Sequence, residues 1–210
     1  MSRPGELKES KMLNSTRNIL LGGAALLLSA TSVLAATGVD GTIDITGSVG
    51  NRCVVIGGAT DSTFTDSVDL SNLDANDGTL LGTYASSTAG SPAGTKSFRV
   101  NCNTGVVDVG IVADSLKTGD GTAPAGYAEL VHYTAQLDLN LATGSFTPLT
   151  VASAIAPATT PATSSTTAPL QNAAGNVTVS FYGLNTPAAT DLLVAGTYGG
   201  QIRVTIAPGI

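Results

Sequence analysis

The sequence contains no tryptophan, one histidine and two cysteines among its 210 residues. A metal centre built from His and Cys, or a triad built on His, needs several such groups to converge, so the raw material for either is almost missing. His132 has neither a second His nor a Cys near it in sequence. It reads as a strand residue with a partly solvated ring. Charge is also scarce, at 11% of residues, with nine Lys and Arg against fifteen Asp and Glu for a formal net charge of −6. No basic concentration exists to neutralise phosphates, which excludes a nucleic-acid binder. Helix formers that carry charge are few, whereas 25 Gly, 9 Pro and a surplus of Thr, Ser and Ala suit short strands and turns. No nucleophile, base and orienting group can be assembled from this inventory, so the chain reads as a non-enzyme that needs no cofactor and no metal.

The amino terminus carries an address. Arg3, Lys8, Lys11 and Arg17 precede a 16-residue apolar run, Ile19 to Leu34, followed by Ser32-Val33-Leu34-Ala35-Ala36 at its end. A basic segment, a short apolar core and small residues before a cleavage point make a secretory signal peptide, with cleavage expected after Ala35. The run is shorter than the ~20 residues of a spanning helix, so no membrane insertion is expected once the signal is removed. Met1 and Met12 are both possible starts. Cleavage leaves 175 residues with five of the nine basic and thirteen of the fifteen acidic side chains, a net charge of −8. Export also sets the meaning of Cys53 and Cys102. In an oxidising compartment a lone pair of cysteines forms an intramolecular disulfide, and no Cys-x-x-Cys spacing supports redox chemistry instead.

The mature chain alternates. In Val39 to Val49, the residues Val39, Gly41, Ile43, Ile45, Gly47 and Val49 fall on one side, and Asp40, Thr42, Asp44, Thr46 and Ser48 on the other. That is a period of two over eleven residues. Cys53 to Ile56 is a further short apolar run. Phe98, Val100 and Cys102 share one face of a strand that forms a hairpin with Val106 to Val112, in which Val107, Val109 and Ile111 point inward. Tyr133, Ala135, Leu137 and Leu139 alternate again, Val177 to Tyr182 is another strand, and Ile202, Val204 and Ile206 mark the last one. Residues 152–174, rich in Ala, Thr and Pro, read as a long exposed loop. Short alternating strands without an amphipathic helix predict an antiparallel β-sandwich.

The order of these features resembles a known family. The signal peptide, Thr37-Gly38-Val39-Asp40-Gly41-Thr42-Ile43-Asp44-Ile45 leading to Cys53-Val54-Val55, the second cysteine in Phe98-Arg99-Val100-Asn101-Cys102, Phe181-Tyr182-Gly183, and the terminal Gly196 to Ile206 segment look like a subunit of the archaic chaperone–usher pili, the spore coat protein U-like domain family. The resemblance implies an all-β fold: an immunoglobulin-like antiparallel sandwich that lacks its last strand and is completed by a donor strand from a neighbouring subunit. It divides the chain into a signal peptide (1–35), an amino-terminal donor strand (36–49) and a pilin domain (50–210). The donor residues would be Val39, Gly41, Ile43, Ile45, Gly47 and Val49, and the acceptor groove edge Ile202, Val204 and Ile206. Implied partners are a periplasmic pilus chaperone, an outer-membrane usher and further copies of the chain. The place would be a surface pilus of a Gram-negative bacterium, serving adhesion and biofilm formation, with the chain as its major rod subunit. A non-polymerising secreted or spore-coat-type protein with the same sandwich is the alternative; a minor or tip subunit is a weaker one, because 175 residues leave no room for a separate binding domain.

Two patterns have a plainer reading. Asp69, Asn72, Asp74, Asn76 and Asp77 before Gly78 suggest a calcium loop, but Gly at the sixth position and Glu at the twelfth are missing, so a polar turn is expected. Asn176-Val177-Thr178 matches a glycosylation acceptor within a strand, where it is a chance match.

Overall fold

The computed structural model describes residues 45–58, 60, 62–155 and 159–209. The chain divides into two units, Met1–Thr46 and Gly47–Ile210. Of the first, only Ile45 and Thr46 are described, and neither lies in a strand. The expected signal peptide and the donor residues Val39, Gly41 and Ile43 therefore lie outside the described residues.

The second unit is nearly all β. Its elements are β1 (Cys53–Ile56), the single helical turn α1 (Gly82–Ala85), β2 (Gly94–Cys102), β3 (Val107–Ala113), β4 (Leu116–Lys117), β5 (Tyr127–Ala128), β6 (Leu130–Leu139), β7 (Leu149–Ala152), β8 (Ala162–Ser165), β9 (Val177–Asn185), β10 (Leu192–Leu193) and β11 (Ile202–Pro208). A six-stranded antiparallel sheet has the order β1-β2-β9-β6-β4, with β7 also paired to β6. A three-stranded antiparallel sheet has the order β11-β3-β8, and β5 and β10 form a short parallel pair. The architecture is that of an all-β sandwich.

Alternation decides which side chains make the core. Along β6, Tyr133, Ala135, Leu137 and Leu139 are buried between half-exposed neighbours, as the period of two requires, and Val107, Val109, Ile111 and Ala113 are buried on β3, where Gly110 between them is buried as well. With Val100 of β2 and Val177 and Val179 of β9 these form one cluster fed by both sheets. Each Val, Leu or Ile among them contributes roughly 1.5–3 kcal/mol on burial. Cys53 and Cys102 face each other in the β1–β2 register and are joined by a disulfide, closing a span of 49 residues. In the chain-entropy model a loop of that size is worth about 4 kcal/mol.

Two sequence expectations are corrected. The hairpin between Ser97–Cys102 and Val106–Val112 does not form: β2 pairs with β1 and β9, whereas β3 pairs with β11 and β8. The turn at 103–106 carries the chain from one sheet to the other, which lets Val100 and Val107 face a shared core from opposite sides. Nor is 152–174 a long exposed loop. Residues Ala162–Ser165 are β8, and Thr166, Ala168 and Leu170 are buried, with Thr166 donating from N–H to the Val107 carbonyl. Thr and Ser suit an edge strand even where the apolar period is missing.

Candidate functional site

Among the described residues the last strand has one partner. β11 pairs with β3 from Ile202↔Ala113 to Pro208↔Val107, and no strand among the described residues takes its other edge. The Asp114 N–H donates to the Gln201 carbonyl, and the Gly209 N–H to that of Val106. Backbone groups alternate in direction along a strand, so those of Gln201, Arg203, Thr205 and Ala207 face β3. The N–H and C=O of Ile202, Val204 and Ile206 then face the open edge. Pro208 shares that parity and has no N–H, so the open edge loses a donor there.

A groove of about 530 Å³ runs beside this edge. One wall is Gly200 to Val204, the other is the extended segment Phe64 to Leu70, and the floor is made by Phe98 of β2, Tyr133 of β6, and Val179 and Phe181 of β9. Phe64 stacks at a tilt on Phe98, with ring centroids 4.0 Å apart, and Tyr133 meets Phe181 at 5.6 Å. Gly94 is needed for the far wall to come close: a Cβ there would lie 2.6 Å from the Phe181 ring and 2.9 Å from Val68. Gly200 does the same at the near wall, where a Cβ would lie 2.7 Å from the Asp114 carbonyl oxygen. The Tyr84 hydroxyl donates to the Leu70 carbonyl and ties down the end of the far wall.

Two ion pairs flank the groove. Lys96 Nζ lies 3.0 Å from Asp66 Oδ1, joining the far wall to β2, and this hydrogen bond, helped by the Ser67 N–H, holds the Asp66 carboxyl below its ordinary range. Arg203 Nη1 lies 2.6 Å from Asp114 Oδ2, with the carboxylate side chain 7% exposed and the guanidinium side chain 43%. Next to it the Tyr133 hydroxyl donates to the Asp114 carbonyl at 2.7 Å, and burial, reinforced by the Asp114 charge, pushes its pKa well above the ordinary tyrosine value.

No family model, no curated protein and no solved structure matches this chain.

Of the expected groove-edge residues, Ile202 and Val204 line the groove, and Ile206 continues the same open edge beyond it. Of the expected donor residues, Ile45 and Val49 are 92% and 81% exposed, Gly47 is exposed, and none lies in a strand. The chain is gripped just after them. Asn103 Nδ2 donates to the Gly50 carbonyl, the Arg52 N–H donates to Asn103 Oδ1, and the Asn103 N–H donates to the Arg52 carbonyl. Sequence reasoning missed the far wall. Its trace is the faint alternation of Phe64, Val68 and Leu70 among polar residues. The floor aromatics were legible as inward residues only, because nothing in a sequence marks a core face that has been left uncovered.

The other polar residues are absorbed locally. Asp69 Oδ1 accepts from the Ser71 N–H, Asp77 Oδ1 accepts from the Thr79 N–H and hydroxyl, and Asn72 donates to the Asp74 carbonyl, which makes this stretch a set of polar turns. The Thr79 hydroxyl bond lowers the Asp77 pKa. His132 Nδ1 shares a hydrogen bond with the buried Ser115 hydroxyl at 2.7 Å, and that hydroxyl also meets Ser153 at 3.0 Å. A serine so enclosed offers no face to a substrate.

Proposed function

We propose that this chain is the structural subunit of an archaic chaperone–usher pilus, assembled by donor-strand exchange into a surface fibre for adhesion and biofilm formation. The body is an immunoglobulin-like sandwich short of its last strand, and residues 36–49 of the next copy supply that strand. The observation that carries this reading is the pairing of two unmet needs in one chain: an apolar groove beside an unpaired strand edge, and an alternating apolar segment ahead of the disulfide-locked body. An open edge over an apolar floor is a template for strand addition and a hazard if left empty. Burial of Val39, Ile43, Ile45 and Val49 at roughly 1.5–3 kcal/mol each would gain on the order of 6–12 kcal/mol before ordering costs, with edge hydrogen bonds in addition. A periplasmic chaperone would occupy the same edge before assembly, and an outer-membrane usher would be the place of exchange.

The test is assembly of the mature chain co-expressed with a chaperone and usher, beside a version lacking residues 36–49. The full chain should form fibres. The shortened one should be held by the chaperone and form none. A shortened chain that is a soluble, fully folded monomer without a chaperone, together with a full chain that never polymerises, would overturn the proposal in favour of a non-polymerising surface protein.

A further inference from the structure

The apolar side of the proposed donor strand reads Val39, Gly41, Ile43, Ile45, Gly47, Val49, a palindrome in side-chain size. Steric fit along the groove therefore discriminates weakly between one direction of insertion and the other. Only the opposite side is asymmetric, with carboxylates at Asp40 and Asp44 and none at Thr42, Thr46 or Ser48. On the acceptor, the exposed residues of β11 are Arg203 and Thr205, with exposed Gln201 just ahead of the strand, and Arg203 is the one charge among them. A strand added to the open edge places its outward residues beside these.

Resting on the polymer reading above, we infer that Arg203 sets the register of the inserted strand by receiving Asp44 of a second copy. Two observations converge on this pairing. The groove lies against Ile202 and Val204, the two residues that bracket Arg203, and the bulkiest donor pair, Ile43 and Ile45, brackets Asp44. Seating the two isoleucines against Ile202 and Val204 puts Asp44 opposite Arg203 whether the strand runs parallel or antiparallel. A slip of two residues presents Thr42 or Thr46 to the guanidinium and replaces an isoleucine by a glycine in the groove. A slip of four recovers a carboxylate, Asp40, with Val39 and Gly41 in place of the isoleucines. Charge and apolar fit thus agree at one register only. Arg203 already holds Asp114, but its planar fork carries five N–H donors and its side chain is 43% exposed, so a second carboxylate can share it.

A second copy is the proposed donor because the described chain enters the body at the end of β2 remote from the groove floor. Gly50 and Arg52 are fastened by Asn103, at the Cys102 end of β2, whereas the groove floor uses Lys96 and Phe98 nearer the start of that strand. Going from Ile56 back to Cys53, β1 runs along Arg99 to Cys102, away from the groove.

Disulfide trapping tests the register while leaving Asp44 and Arg203 intact. Thr205→Cys is combined in turn with Thr42→Cys and Thr46→Cys, the positions that the inferred register sets opposite Thr205 in the antiparallel and parallel directions, and with Asp40→Cys and Ser48→Cys as slipped controls. Each full chain is assembled with its chaperone and usher and run under non-reducing conditions. The expected result is an intermolecular ladder from Thr42→Cys or Thr46→Cys that exceeds both controls, and whose yield falls about 2- to 5-fold when Asp44→Asn is added. Ladders strongest at Asp40→Cys or Ser48→Cys, or insensitive to Asp44→Asn, overturn the register while fibres on the grids leave the polymer reading intact. A cross-link confined to monomers overturns the second copy as donor. Absence of any fibre in the parent chain removes the polymer reading itself.

Discussion

Val100 shows how one side chain can stand in for a strand. The β2–β9 ladder ends at Phe98↔Val177, and the next place is taken by the Asn176 side chain, whose Oδ1 accepts from the Val100 N–H at 2.8 Å and whose Nδ2 donates to the Val100 carbonyl at 2.6 Å and to that of Gln171 at 2.7 Å. Asn176 is 1% exposed, so the glycosylation match in its vicinity offers no accessible amide. Asn176→Ala would strand two backbone groups of Val100 in the core, and a loss of roughly 2–4 kcal/mol is expected in urea unfolding of the mature chain. Nothing in Asn-Val-Thr announces this role, because the partner lies 76 residues away in sequence. Tyr133 supplies the pH dependence at this scale. Burial raises its pKa, so the folded state holds its proton above the pH at which the unfolded chain releases it. That contribution is complete below about pH 10, the ordinary tyrosine value, and is lost as pH rises through the folded pKa. Tyr198, raised by burial as well, acts in the same sense. Stability should therefore fall above about pH 10, and less steeply in Tyr133→Phe, as followed by circular dichroism across an alkaline series.

Strands with a buried face were legible because a period of two survives any arrangement of the sheets: β3, β6 and β9 lie where the alternation put them, within one to three residues, and β11 starts four residues after Tyr198, where the last strand was expected to begin. Pairing was not legible. The short turn between β2 and β3 looks like a hairpin, yet the demand that Val100 and Val107 face the same core from two sheets decides otherwise. β8 escaped because its side chains are Ala, Thr and Ser at an edge, where burial imposes little pattern. The open edge of β11 makes a prediction that depends on backbone direction alone. In the proposed fibre, the amides of Ile202, Val204 and Ile206 should become protected from hydrogen exchange relative to the unassembled body, while those of Arg203, Thr205 and Ala207, whose backbone groups face β3, should change little. Uniform behaviour of odd and even residues would mean that no strand is added there. The matching change on the donor is Ile43→Asp or Ile45→Asp, which would place an unpaired carboxylate over Phe98 and Phe181 at a cost of several kcal/mol, against Thr46→Asp, which leaves the charge in water. The first two should abolish fibres on electron microscope grids without loss of chaperone binding; the third should assemble. Equal assembly by all three would remove residues 39–49 from the polymer contact.

For the whole molecule, the disulfide matters by its position more than by its contribution to stability. In the proposed fibre, tension enters each body at the donor segment, just ahead of Cys53, and leaves through the neighbour's strand seated along β11. The first element on that path is β1, four residues at the edge of its sheet, which would peel one hydrogen bond at a time if nothing else held it. Cys53 is its first residue, and its bridge to Cys102 passes the load directly to β2, whose other residues are paired with β9 in the middle of the sheet. The bridge thus removes residues 54–101 from the stretched path, including the far wall of the groove. Cutting it should let β1, the 64–70 segment and α1 unravel before the core strands do. Single fibres pulled with and without prior reduction check this. Reduced bodies should give an added extension of up to about 140 Å each, the reach of the roughly 41 residues from Cys53 to the start of β2 at ~3.4 Å per residue, at forces below those that extract the donor strand. Identical force curves in both states would mean that β1 is held by packing alone and that the disulfide serves only to fold the chain.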